Sequence, residues 1–146
     1  MANRKEFRVH PLDRKLNKAI GVKLPLGGSP MFELSYSTEE QAISNLKNLL
    51  LTRKGERPFQ PLFGTAIYSL LFENMTSNLS ETLSQSLRKD IGYWLPYIII
   101  DELVVSQEDD LNRLNISLSV RVTESGANTN ITVFVTEQGN ISIGWG

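Results

Sequence analysis

The hydrophobic period of the chain changes at Pro96, and this change constrains the fold more than any other feature. Before it, apolar residues recur at every fourth position and mark one face of a helix: Leu79, Leu83, Leu87, Ile91 and Leu95. After it, apolar residues alternate with polar ones, as in a strand with one buried face: Leu114, Ile116, Leu118, Val120 and Val122. Helices followed by a run of antiparallel strands predict an α+β domain that ends in a β-meander.

Two further helices are predicted before this stripe, which makes three in all. The first begins at Ser37 or Thr38, with Gln41 at the capping-box position, and ends near Lys54. The second is shorter and covers about residues 64–73.

The beginning of the chain has a different character. Residues 1–30 keep neither period for long and contain several prolines and glycines, which predicts an extended arm. Residues 31–146 then form a single domain, because a chain of 146 residues can bury one sizeable core.

Composition excludes several classes of function. The net charge of −1 argues against a nucleic-acid-binding surface, and the absence of cysteine excludes disulfides and thiolate metal sites. The longest apolar run, residues 95–100, is too short to span a membrane. We therefore expect partners to be recognised by shape and local chemistry.

Four strands are predicted after Pro96. The first covers residues 97–105 and leads into a turn at residues 107–110, after which the alternating strand runs to residue 123. The last two strands carry alternating residues that we predict to bind partners: Ile131, Val133, Val135, Ile141, Ile143 and Trp145.

The C-terminal strands lack the usual protection of a sheet edge. Residues 129–145 contain one charged residue, Glu137, and no proline. Charges and prolines are common means by which edge strands avoid pairing with another chain. We therefore expect this region to accept a strand from a partner by β-augmentation.

A stiff loop separates the first two helices. Gly55 suits the left-handed residue after a helix end, and Pro58 and Pro61 fix backbone angles. The loop therefore presents Glu56 and Arg57 with little entropy to lose on binding. Two interpretations stay open: the pair is an internal clasp, in which Glu56 caps the next helix, or it is a docking handle for a neighbouring subunit.

The loop sequence from Thr52 to Pro58, with Pro61-Leu62-Phe63-Gly64 after it, resembles that of the sheath-initiator family. These are small baseplate wedge proteins of contractile-tailed phages, and their relatives serve the type VI secretion baseplate. Three other segments agree with the phage branch: Ile20 to Pro25, Tyr36 to Ile43 and Leu71 to Glu73. The resemblance covers roughly residues 8–123.

The resemblance implies a structural subunit of the virion tail baseplate, assembled in the host cytoplasm and present in multiple copies in a six-fold assembly. The implied partners are other baseplate wedge subunits, against whose helical core bundle the loop lies, and the tail sheath protein. The C-terminal strands would template the first sheath ring. The loop residues predicted to bind partners are Arg53, Gly55, Glu56, Arg57, Pro58, Pro61, Phe63 and Gly64.

Two alternatives come from other functional classes. Proteins of this resemblance have been labelled baseplate lysozymes, and Glu56 with Glu73 is the carboxylate pair that a peptidoglycan hydrolase would use. However, the basic neighbours of Glu56 favour its charged form, which opposes a general-acid role. The other alternative is a small adaptor domain unrelated to tails. His10 is the only histidine, so we expect no enzymatic activity, metal or cofactor.

Overall fold

The computed structural model describes residues 18–24, 32–71, 78–108, 113–123, 128–136 and 141–145. Its elements in chain order are β1 (Gly21–Val22), β2 (Leu34–Ser35), α1 (Thr38–Leu51), α2 (Ile67–Leu71), α3 (Leu79–Trp94), β3 (Ile98–Glu108), β4 (Arg113–Val122), β5 (Asn128–Thr136) and β6 (Ile141–Trp145). β1 pairs with β2, and the other four strands form one antiparallel sheet in the order β3-β4-β5-β6. This mixture of helices and antiparallel sheet confirms the predicted α+β class.

The start of α1 is capped by Ser37, whose Oγ accepts a hydrogen bond from the Glu40 amide at 3.2 Å. The Glu40 carboxylate in turn accepts from the Tyr36 amide at 3.3 Å. The predicted capping-box role of Gln41 is therefore wrong. Since Ser37 rather than the next residue is the cap, Gln41 lies one position too late, and its Oε1 instead accepts from Ser35 Oγ at 2.6 Å.

The connection between α1 and α2 begins earlier and ends later than predicted. α1 ends at Leu51, before Lys54, because Thr52 takes an extended conformation. α2 begins at Ile67 rather than residue 64, since Gly64 has a φ of 127°, which no helix accommodates. A Cβ at this position would lie 2.6 Å from the Thr52 carbonyl oxygen. The predicted end of the helix, including Glu73, lies outside the described residues.

α3 confirms its predicted apolar stripe, because all five of its members are buried. The helix ends at Trp94, and the Leu95 amide donates to the Ile91 carbonyl at 2.8 Å before Pro96 begins the turn. α3 packs against β3 and so lays this stripe on one face of the sheet. Among the described residues, no helix has the length and apolar character needed to cross a membrane.

The sheet buries one face of each strand whose burial the structure describes. The alternating residues of β4 are all buried, as predicted, and β3 places Ile98 and Leu103 on the same side. A bulge between Ile100 and Glu102 corrects the phase of β3 along its length. The predicted turn beginning at residue 107 is wrong in its first half, because the ladder with β4 continues to the pair Glu108 and Arg113.

Residues 18–24 pack against α1. The Lys47 ammonium donates to the Leu24 carbonyl at 2.8 Å, and the Leu24 amide donates to Ser44 Oγ at 3.4 Å. Lys47 is buried, and this burial lowers the pKa of its amine below the ordinary value. The remainder of the predicted arm over 1–30 lies outside the described residues, so the arm and the domain boundary after it stay predictions.

Candidate partner-binding surfaces

The loop between α1 and α2 is held by its own backbone. Gly55 has the predicted left-handed φ, at 90°, but it lies within the loop and not directly after α1, which ends at Leu51. Its amide donates to the Pro61 carbonyl at 2.6 Å. The Glu56 amide donates to the Arg53 carbonyl at 3.1 Å, and the Phe63 amide donates to the Gln60 carbonyl at 3.0 Å. These bonds close the loop into a small unit whose tip is Pro58 to Leu62.

The side chains of Glu56 and Arg57 both bind within the chain. Glu56 Oε2 accepts a hydrogen bond from the Arg53 amide at 3.0 Å. Arg57 Nη2 donates to Asn48 Oδ1 at 3.1 Å, and its guanidinium lies 4.1 Å from the centre of the Phe63 ring. This geometry supports the internal clasp. However, Glu56 binds the Arg53 amide in the loop after α1, and not the start of the next helix as the clasp interpretation assumed. The docking role of the pair stays a prediction.

Two further basic residues, in the loop just after α1, also have partners. The Arg53 guanidinium lies 4.0 Å from the centre of the Tyr68 ring on α2. The Lys54 ammonium forms a 2.7 Å ion pair with Asp90 on α3, whose side chain is only 10% exposed. The three helices are therefore joined at this loop by polar contacts as well as by the core.

A shallow depression of about 500 Å³ lies beside the loop, lined by Leu51, Arg53, Lys54, Gly55, Glu56 and Tyr68. Glu56 is the one carboxylate that lines it, and it accepts from the Arg53 amide. Its nominated partner Glu73 lies outside the described residues. In the part of the chain that the structure describes, no acidic or histidine residues cluster in a way that could hold a metal ion.

The loop residues predicted to bind partners divide into exposed and buried groups. Pro58 and Pro61 are exposed, whereas Phe63 and Gly64 are buried within the chain. The Phe63 ring packs against Trp94 of α3 with a centroid distance of 5.2 Å, so its side chain is part of the core. The partner binding of the predicted loop residues stays a prediction.

Sequence reasoning missed the two most exposed apolar side chains of the loop. Phe59 is 98% exposed and Leu62 is 75% exposed. Their position between and beside two prolines, out of phase with both helices, is the pattern that would have identified them. Single exposed apolar side chains are common, but two large ones on one short loop form an apolar surface that a partner could cover.

The predicted residues of β5 and β6 have different positions in the sheet. Ile131 and Val133 are 1% and 0% exposed, so their side chains belong to the core. Their strand pairs with β4 on one side and β6 on the other, which occupies its backbone. Val135 lies on the same strand, and the strand of Ile141, Ile143 and Trp145 is at the edge of the sheet.

The two edges of the sheet differ in their protection. Strand β3 carries the bulge, the charged residues Asp101 and Glu102, and an ion pair of 2.9 Å from Asp101 to Arg121 on β4. Strand β6 has neither a charge nor a proline, and among the described strands it pairs only with β5. An added strand would therefore meet charge and irregular geometry at β3 but not at β6.

Comparison with known proteins gives a consistent result. Residues 37–127, more than half of the chain, match the family model described as baseplate wedge protein gp25. The chain is 36% identical over 75 residues to baseplate wedge protein gp25 of Enterobacteria phage T4. This alignment covers 51% of the chain and 55% of the T4 protein, so the chain spans about half the length of that relative.

Three solved structures share the fold. The first, a candidate tail lysozyme from Geobacter sulfurreducens, has a TM-score of 0.63 at 23% identity and covers 71% of this chain and 95% of its own. A chain of the anti-feeding prophage baseplate has a TM-score of 0.58 at 19% identity, with coverages of 68% and 79%. A chain of the type VI secretion baseplate complex has a TM-score of 0.52 at 13% identity, with coverages of 72% and 90%. Together with the family model, the fold and the loop lead to one conclusion: this chain belongs to the gp25 family of baseplate wedge proteins.

Proposed function

We propose that the chain is a structural subunit of a contractile-tail baseplate that fastens to other wedge subunits through the α1–α2 loop and templates the first ring of tail sheath subunits. It acts in the tail baseplate of the virion, in multiple copies around the six-fold axis. Family membership supports the location, and the anti-feeding prophage baseplate, which shares the fold, is six-fold symmetrised.

The observation that carries the templating role is the difference between the two sheet edges. β6 offers five residues, Ile141–Trp145, without charge or proline, whereas β3 offers Asp101, Glu102 and a bulge. A strand from a sheath subunit would hydrogen-bond to the backbone groups of β6 that no other described strand occupies, and would extend the sheet to five strands. The central strand β5 would support β6 from the other side without itself touching the sheath.

This mechanism requires that the sheet and the helices share one core. α3 lies on β3, and its Leu83 and Leu87 are buried in the same core as Ile131 and Val133. A template must hold its edge strand at a fixed position relative to the surface that docks on the wedge. The continuous core supplies that connection.

Proline substitutions at Ser142 and Ile143 test the role of the β6 edge. Backbone N–H groups of neighbouring residues in an antiparallel strand point to opposite sides, so one of these two faces β5 and the other faces away. Hydrogen exchange of the wild-type chain identifies the outward group as the unprotected one. Proline there removes only the free donor and should leave the circular dichroism spectrum unchanged while it blocks sheath assembly.

The controls are Ser142→Thr and Ile143→Val, which keep both N–H groups and should support normal sheaths. Electron microscopy of purified baseplates gives the readout. Sheaths of normal length on baseplates that carry the outward-facing proline variant would exclude strand addition at β6.

A further inference from the structure

We infer that Phe59 and Leu62 are the anchor residues by which the loop binds its partner, and that this partner offers an apolar pocket rimmed by carboxylates on a neighbouring wedge subunit. Glu56 and Arg57 are braces that hold the loop in the binding conformation. This inference rests on the proposed function, since it assumes that the loop docks on the wedge.

Phe59 combines an exposed side chain with a rigid backbone. Phe59 is almost fully exposed, yet it stands on a tip closed by the 2.6 Å bond from Gly55 to Pro61 and flanked by two prolines. The backbone of such a tip loses little conformational entropy when a partner covers the side chain. Large aromatic side chains that fill a pocket commonly supply most of the binding energy of an interface.

The charged pair Glu56 and Arg57, by contrast, already binds other groups of the chain. Arg57 is half-buried, donates to Asn48 and stacks on Phe63, and Glu56 binds the Arg53 amide. Direct docking through these groups would first break internal contacts. Docking through Phe59 and Leu62 leaves these contacts intact and uses side chains that have little internal packing.

A row of packed aromatic rings connects the loop to the end of α3. Tyr93 is 75% exposed and packs edge-to-face on Trp94 at 5.0 Å, and Trp94 packs on Phe63 at 5.2 Å. This row of rings joins α3 to the residue that follows Leu62. The partner pocket can therefore rest on a surface that the core of the domain supports.

Charge determines the chemistry of the rim. The guanidinium groups of Arg53 and Arg57 lie over aromatic rings beside the tip, while Lys54 is paired with Asp90. Glu56 is the one acidic residue of the segment from Thr52 to Gly64, so the two arginines leave the loop cationic. An apolar pocket with acidic side chains at its rim would complement this arrangement.

The test measures the affinity of the chain for a wedge complex reconstituted from the other subunits of the same tail. Phe59→Ser and Leu62→Ser should each weaken binding about tenfold or more, with unchanged circular dichroism. Phe32→Ser is the matched control, since Phe32 is also exposed but lies near the opposite end of α1, which is roughly 21 Å long. Raising the salt concentration should weaken the wild-type complex several-fold.

Each other outcome contradicts a defined part of the account. Wild-type chain that does not bind the wedge complex would overturn the proposed docking and this inference with it. Binding that survives Phe59→Ser and Leu62→Ser, or that Phe32→Ser weakens equally, would overturn the anchor assignment alone. Salt-independent binding would exclude the acidic rim. A dimer of the isolated chain that Phe59→Ser dissociates in sedimentation would assign the surface to a second copy instead.

Discussion

The Arg57 guanidinium and the Asn48 side chain are joined by a hydrogen bond of 3.1 Å that ties the stiff loop back onto α1. Asn48 lies on the last turn of the helix, one turn before the loop begins. The residue that looks most like a docking handle in the sequence is therefore bound by the helix that precedes it. This relationship changes what substitutions in the loop are expected to do.

A double-mutant cycle on this pair separates a brace from a handle. Arg57→Ala and Asn48→Ala should each lower the free energy of unfolding by about 1 kcal/mol, because each removes the same partly exposed charged hydrogen bond. The double variant should cost little more than either single one, as expected for residues that act together. Urea unfolding gives the values. Fully additive losses would mean that the hydrogen bond contributes nothing.

The ion pair between Lys54 and Asp90 should contribute more to stability than a single surface ion pair does. Asp90 Oδ2 is buried and has no hydrogen-bond partner in the described part of the chain, so Lys54 carries the compensation for this carboxylate. Lys54→Ala should lower the free energy of unfolding by about 2 kcal/mol, since a buried charge loses its partner. Arg121→Ala breaks the more exposed pair with Asp101 and should cost less than about 1 kcal/mol. Equal losses in thermal or urea unfolding would contradict this.

Lys47 should make the free energy of unfolding increase with pH in the alkaline range. Because burial lowers the pKa of the folded-state amine below 10.5, the folded state releases its proton before the unfolded state does. The charge on Lys47 therefore opposes folding below the folded-state pKa, and stability from this group rises with pH from there up to 10.5. Lys47→Met should remove this rise. The difference in free energy of unfolding between wild type and variant, measured from neutral pH upward, checks the sign.

We expect no peptidoglycan hydrolysis by the chain. The retaining and inverting mechanisms need two carboxylates on either side of a sugar, one of them held protonated. In the described residues, Glu56 lines a shallow depression beside two basic residues and accepts a backbone hydrogen bond. Purified protein should leave cell-wall suspensions turbid. Clearing that disappears with Glu56→Gln would establish the hydrolase instead.

The regular elements could be predicted from the sequence because local pattern and tertiary packing agree there. The stripe of α3 and the alternation of β4 are both buried as their periods indicate. The sequence left Ser37 and Thr38 open as caps of α1, since both are suitable, and the structure has Ser37. The capping-box position assigned to Gln41 was therefore one residue too late.

The partner-binding surfaces could be predicted only in part, because they depend on which strands are at the edge of the sheet and which side chains stay exposed. A sequence pattern identifies Ile131 and Val133 as strand residues, but strand order makes theirs a central strand and β6 the edge. The same applies to the loop: the sequence does not show that Trp94 and the Arg57 guanidinium pack on Phe63, which is buried, whereas Phe59 is exposed. Such distinctions arise from long-range packing.

Strand addition at β6 is the central claim, and a cryo-electron microscopy map of baseplates with the first sheath ring attached tests it most directly. The account predicts a fifth strand from a sheath subunit, hydrogen-bonded along Ile141–Trp145, with the β3 edge left without an added strand. A map in which β6 has no intermolecular strand, or in which the sheath strand pairs with β3, would contradict the account.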